Sequence, residues 1–399
     1  MSESRSEASV ARRRRRIRLM IALVLVFGLA GAAYGVYWYE VARYSVATDD
    51  AYVHGNRVPL SAQVQGTVTS INAEETDFVS QGEPLVELDA SDYRVALDRA
   101  KAKLAQTVRD VRQLYEQASE QRSVIQQRKA SLTQARRDYR RAKRLADRNV
   151  TSRESYQQVE TRWQEARANL KTAQRKLSGI RTQITGTDPE HHPRVRLAAS
   201  AVRKAWLDVQ RTRILAPVSG FVAKRGAQVG ETASPGKPLL SIVPLDQLWV
   251  QANFKETDLQ NVRIGQPVTV TADFYGHGVT YHGRVVGLSA GTGSAFELLP
   301  PQNATGNWIK VVQRVPVRIS LDPAELEKHP LRLGLSLHVS IDVHDTSGKV
   351  LTRVARHEPV YRTPVFKRDT GEVDRMISQI IHRNDNGSKV TGSDAHDGE

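Results

Sequence analysis

The sequence predicts a multi-domain chain: one transmembrane helix, a small β-domain split by a long antiparallel coiled-coil α-hairpin, and a small antiparallel β-barrel. Three observations predict it. One uncharged apolar run near the amino terminus is long enough to cross a bilayer. A heptad-spaced stretch without glycine or proline fills residues 91–178, the signature of long packed helices. Two β-type segments flank that stretch and repeat one another at a constant offset.

The membrane element comes first. Residues 1–18 form a basic segment in which Arg12 to Arg16 and Arg18 cluster. Residues 19–39 carry no charge, and Tyr34, Tyr37, Trp38 and Tyr39 crowd their far end. Aromatic rings of that kind sit at lipid headgroups, and flanking arginines stay cytoplasmic, so everything after Glu40 is expected on the outer side of the membrane. Ala30-Gly31-Ala32 also fits a signal-peptide cleavage site, the alternative for this run. The bulk of the chain is exported on either reading.

The split β-domain follows, as residues 46–90 and 212–245. Val64-x-Gly66-x-Val68 matches Val218-x-Gly220-x-Val222, and Gly82-x-Pro84-Leu85 matches Gly236-x-Pro238-Leu239, each pair 154 residues apart. Gly66 and Gly220, like Gly82 and Gly236, are therefore expected at equivalent structural positions, where strands approach closely or turn.

Between the halves, residues 91–211 read as the hairpin. Its seam passes through Leu97, Leu104, Thr107, Val111, Ala118, Gln121 and Ile125, and resumes at Tyr156, Trp163, Leu170 and Leu177. The turn falls near 147–152, where Ser152 can cap the returning helix. At 1.5 Å per residue the outgoing arm reaches roughly 80 Å. Residues 186–193 interrupt the return arm as a kink or an extruded loop. Residues 246–345 alternate as a β-barrel, and 346–399 form a polar tail, partly disordered, with one amphipathic stripe at Val373, Met376, Ile377 and Ile380.

Composition excludes several classes. With no cysteine among 399 residues, disulfides and thiolate chemistry are ruled out. No nucleophile, phosphate-loop or dinucleotide motif stands in its required context, so no catalytic residue is assigned. His191 and His192, near Asp188 and Glu190, lack a metal-ligand spacing. Asp49 and Asp50 read as structural. The net charge of +15 points to an acidic partner. On an exported hairpin it reads as solvated charge rather than a nucleic-acid surface.

Four stretches carry a resemblance: residues 48–53 (TDDAYV), 206–217 (WLDVQRTRILAP), 250–265 (VQANFKETDLQNVRIG) and 291–318 (GTGSAFELLPPQNATGNWIKVVQRVPVR). With the domain order, they make the chain similar to the HlyD-type membrane-fusion, or periplasmic adaptor, family, in its multidrug-efflux branch. The resemblance implies that the split domain is lipoyl-like, but the helical insertion sits where a turn presenting a modified lysine would be, so no lipoyl group or other cofactor is expected. It implies a Gram-negative inner-membrane protein, single-pass and mostly periplasmic. It implies a ring of copies, hexameric or two stacked trimers, between a major-facilitator transporter and a TolC-like outer-membrane channel. Family hairpins dock the channel through an Arg-Leu-x-x-Leu-x6-Ser tip. Here Arg141, Leu145 and Ser152 fall at those spacings, and Ala142 stands where the first leucine would be. The stretch 291–318, with Phe296, Leu298, Leu299 and Trp308, is expected to face the transporter or the ring interior. A non-transport envelope scaffold and an adaptor for an ABC-type secretion system are the alternatives.

Overall fold

The computed structural model describes residues 20, 23–36, 38–40, 42–184, 186, 188–296, 311–352 and 357–385. The apolar helix α1 includes the span Leu23–Glu40, and its described residues there are exposed. By length and composition it can cross a membrane.

The strand β1 (Ser45–Gly55) comes next, and its place departs from expectation. Residues 46–90 are assigned above to the split domain, yet β1 belongs to the barrel. Six strands close it in the order β1, β10 (Leu248–Lys255), β13 (Arg314–Leu321), β12 (Thr280–Leu288), β11 (Pro267–Ala272) and β14 (Ser336–Asp342). The cause is edge pairing. The strands after residue 246 leave β10 and β14 unpaired on one side. β1 satisfies both, through Val53↔Val250 and Val46↔Ile341. It buries Ala51 and Val53 against Phe254, Tyr281 and Ile319. A bulge between Thr48 and Ala51 holds Asp49 and Asp50. Asp50 accepts from Asn253 at 3.0 Å and from Arg314 at 2.7 Å, and Asp49 pairs with His338.

The split domain consists of β2 (Val58–Ser61), β3 (Gly66–Ile71), β4 (Phe78–Val79) and β5 (Pro84–Leu88), with β6 (Arg213–Leu215), β7 (Gly220–Arg225), β8 (Thr232–Ala233) and β9 (Pro238–Val243). They form two sheets, β2-β9-β7-β4 and β6-β5-β3-β8, each drawing strands from both halves. The repeat is a pseudo-twofold down to single hydrogen bonds. Val68 N–H donates to Glu231 O and Val222 N–H donates to Asp77 O, both at 2.9 Å and both shifted by the repeat. Gly66 pairs with Ala233, and Gly220 pairs with Val79. Gly82 and Gly236 have φ of +87° and +88°, the left-handed region that favours glycine.

The hairpin is α2 (Ser91–Ala146), α3 (Arg153–Ile184) and α4 (Pro193–Gln210). Leu97, Leu104, Val108 and Val111 meet Val195, Val202 and Trp206, and farther out Ala118 and Ile125 meet Ala173 and Leu177. Buried Gln121 is satisfied by Ala173 O at 3.1 Å. Thr107 is not a seam residue. Its hydroxyl bonds back to Lys103 O at 2.8 Å, and Val108 is buried in its place.

Two helices follow later in the chain. The short α5 (Pro323–Lys328) is capped by Asp322 and buries Leu326 against the barrel core. The longer one explains the seam shift. α6 (Gly371–Asp385) docks on α2 and α4, burying Val373, Ile377 and Ile381 at i, i+4 and i+8. Each such side chain stabilises the docking by ~1.5–3 kcal/mol before ordering costs. Residues 371–385 are thus part of the hairpin's base rather than free tail. The break in the return arm ends on a histidine cap. Buried His192 caps α4, its Nδ1 accepting from Arg194 N–H at 3.2 Å. That bond fixes the tautomer, so Nε2–H donates to Gln183 O at 2.9 Å. His191 instead faces Asp188 at 2.7 Å, so the two rings turn to different partners.

Candidate docking surfaces

The far end of the hairpin is shaped by a complete helix stop. Asn149 adopts φ of 57°, Asn149 N–H bonds Ala146 O at 2.9 Å, and Val150 N–H bonds Leu145 O at 2.9 Å. Those two bonds define a Schellman motif with asparagine in the left-handed position. Ser152 starts the return. Its hydroxyl accepts from Ser155 N–H at 3.1 Å, an N-cap bond. Leu145 is 40% exposed and Val150 68%, so the stop presents two apolar side chains to solvent.

Arginines ring this knob. Arg140, Arg141, Arg144, Arg148 and Arg153 are all exposed. Among the described residues, none of the five lies within ion-pair distance of a carboxylate. Below the tip, Tyr139 stacks on Trp163 at 4.8 Å between centroids, and its hydroxyl meets that of Tyr156 at 3.1 Å. That bond, with desolvation and Glu160 adding to it, pushes the Tyr156 hydroxyl up to about 12. The distal arm has thin packing: no residue from 126 to 172 is fully buried. The structure brings Arg141, Leu145 and Ser152 to one end of the hairpin. It adds Val150, whose only sequence signal is an apolar residue directly after Asn149.

A second surface lies on the barrel. Arg318 places its guanidinium 4.0 Å over the Trp249 ring, a favourable cation–π geometry. Both line a cleft of about 570 Å³ with Leu288 and Gly293. The two described ends of the stretch 291–318 reach this cleft, where Gly293 of the short turn Gly293–Phe296 lines it together with Pro316 and Arg318. Leu298, Leu299 and Trp308 lie outside the described residues, as does the side chain of Phe296.

An apolar amino-terminal helix, a reunited β-domain, a projecting hairpin and a closed barrel together make the architecture of a membrane fusion protein, with no catalytic constellation among the described residues. The comparisons carry this further. Residues 91–212 match the family model of the EMRA alpha-helical hairpin domain, and residues 247–342 that of the AAEA-like beta-barrel domain. The chain is 44% identical to the multidrug export protein EmrA of Escherichia coli K12 over 352 residues, 88% of this chain and 90% of that protein. It is 40% identical to the fatty acid resistance protein FarA of Neisseria gonorrhoeae over 379 residues, 93% of each chain. The solved periplasmic adaptor protein EmrA aligns with a TM-score of 0.38 at 20% identity, covering 75% of this chain and 99% of that one. The chain belongs to the EmrA-type membrane fusion, or periplasmic adaptor, family.

Proposed function

We propose that this chain is the periplasmic adaptor of a tripartite efflux pump exporting drugs or other toxic compounds. The observation that carries the reading is the 44% identity, over 88% of the chain, to a protein named for multidrug export. In this reading the amino terminus is cytoplasmic and α1 anchors the chain beside an EmrB-like major-facilitator transporter. Copies of the chain form a ring, as a hexamer or two stacked trimers. The tip meets a TolC-like channel of the outer membrane, with Leu145 and Val150 as apolar anchors. Unpaired arginines suit such a contact, because guanidinium binds carboxylate and carbonyl oxygens with fixed, forked geometry. Stretch 291–318, with Phe296, Leu298 and Trp308, lies on the transporter or ring-interior side.

The test is complementation. A Gram-negative strain lacking its own adaptor receives this chain together with the transporter encoded beside it. Restored resistance, abolished when the transporter is left out, supports the reading. Unchanged sensitivity with adaptor and transporter both present in the membrane contradicts it. A periplasmic reporter fused after Glu40 should be active, and an inactive one contradicts the orientation.

A further inference from the structure

Before α6, the chain runs across the split domain as a strap, residues 357–370. It lies over the gap between β2 and β6, each the edge strand of a different sheet. Neither edge has a second strand partner, so the strap roofs a cavity of about 550 Å³. That volume lies within the range of small-molecule sites. The floor is apolar, with Leu60 and Ile214 almost fully buried. The strap contributes Tyr361 and Phe366, 53% and 54% exposed. Large aromatic faces left open beside an apolar floor mark a place that a ligand can cover.

Four arginines line the same cavity: Arg211, Arg213, Arg362 and Arg368. Two have carboxylate partners, Arg211 with Asp208 at 3.2 Å and Arg213 with Glu87 at 3.6 Å. Among the described residues, Arg362 and Arg368 have none within ion-pair distance. Among the described residues, the Arg368 guanidinium donates only to Gln210 O, at 3.4 Å. Burial, and then the like charge of Arg211, lower its pKa. A guanidinium does not lose its proton at neutral pH. The cavity therefore holds two cations beyond those neutralised, and a half-buried uncompensated charge costs stability until an anion meets it.

We infer that the cavity under the strap binds an amphiphilic organic anion. The acidic head would lie between Arg368 and Arg362, and the apolar body on Leu60, Ile214 and Phe366. A bare inorganic anion would leave the apolar floor and both aromatic faces uncovered, and a neutral apolar molecule would leave the arginines unmet. The inference goes beyond the adaptor role, because it holds for whichever transporter and channel are the partners.

The test is binding of 2-naphthoate to the full chain in nanodiscs of zwitterionic lipid, by calorimetry, with empty nanodiscs as blank. Neutral 2-naphthol and inorganic phosphate serve as comparison ligands. The expected result is saturable 1:1 binding of naphthoate, with naphthol and phosphate each at least ~10-fold weaker, a difference of about 1.4 kcal/mol. R362Q/R368Q is expected to weaken naphthoate by at least the same ~10-fold. If that double variant loosens the strap, seen as new proteolysis within 357–370, R362Q alone gives the reading, since Arg362 is exposed and its side chain makes no hydrogen bond or ion pair among the described residues. Absence of saturable binding, naphthol or phosphate binding as tightly as naphthoate, or naphthoate affinity unchanged in the variants would each overturn the inference.

Discussion

The pseudo-twofold of the split domain makes a prediction sharper than a single substitution allows. Gly66 and Gly220 are equivalent by repeat, but their surroundings differ. A Cβ on Gly220 would lie 2.5 Å from Val243 O and 2.8 Å from its carbonyl carbon, both backbone atoms of the paired strand β9. A Cβ on Gly66 would lie 3.2 Å from Leu88 Cβ, a milder overlap that strand β5 relieves by shifting a few tenths of an ångström. Neither glycine has positive φ, so packing decides the cost. Overpacking against fixed backbone costs ~1–3 kcal/mol. Replacing glycine recovers ~0.4–1 kcal/mol by restricting the unfolded chain. At 2.5 Å the overlap at Gly220 puts its cost near the top of that range, so G220A should lose about 2 kcal/mol and G66A distinctly less. Thermal unfolding of this multi-domain chain is not a two-state measure. Hydrogen exchange at the equivalent amides of Val68 and Val222 reports on the domain directly. A loss of 2 kcal/mol raises exchange roughly 30-fold. Equal acceleration in the two variants, or a larger one in G66A, would refute the steric reasoning.

Other expectations follow from the hairpin. Ile377→Ala should cost ~2–5 kcal/mol of local packing and release α6, read as new proteolytic cleavage within 371–385. Ser152→Ala should lose ~1 kcal/mol of cap energy, read as faster exchange at the Ser155 amide with the base of the hairpin unchanged. Asp374 accepts from Arg203 at 2.7 Å, and that bond lowers its pKa. A carboxylate lowered on folding stabilises fully above its unfolded pKa of about 3.9 and loses the contribution as pH falls through the folded value. D374N should therefore raise protease sensitivity of α6 at pH 7, and the difference from the unaltered chain should vanish in strong acid. A difference that persists there would contradict the ion-pair account.

The elements legible in the sequence are those whose signals repeat locally. The helical period, the matched half-domains and the amphipathic stripe of α6 each announce themselves within a few turns or by direct copying. What could not be read depends on partners far along the chain. β1 looks like any alternating segment near the first half-domain. Only the open edges of β10 and β14, almost 200 and 290 residues later, claim it for the barrel. The docking of α6 is similar, since Arg203 and Asp374 stand 171 residues apart. It also explains why Val108 displaces Thr107, because a third helix widens the buried face beyond a two-helix seam. At the tip, the family resemblance marks Arg141, Leu145 and Ser152, whereas Val150 becomes visible once Asn149 takes its left-handed turn.

The central proposal, that the hairpin tip meets an outer-membrane channel, is tested most directly by site-specific photo-cross-linking in cells. The photoreactive residue replaces Val150, and a control position on the barrel, Val286, is exposed but distant from the tip in sequence and fold. The expected result is a cross-link to the channel from position 150 and none from 286, with the first lost when Arg141 is reversed to glutamate and Leu145 is replaced by alanine. With the adaptor at normal levels, no channel adduct from position 150, or an adduct that survives the double change undiminished, would contradict the tip as the docking site.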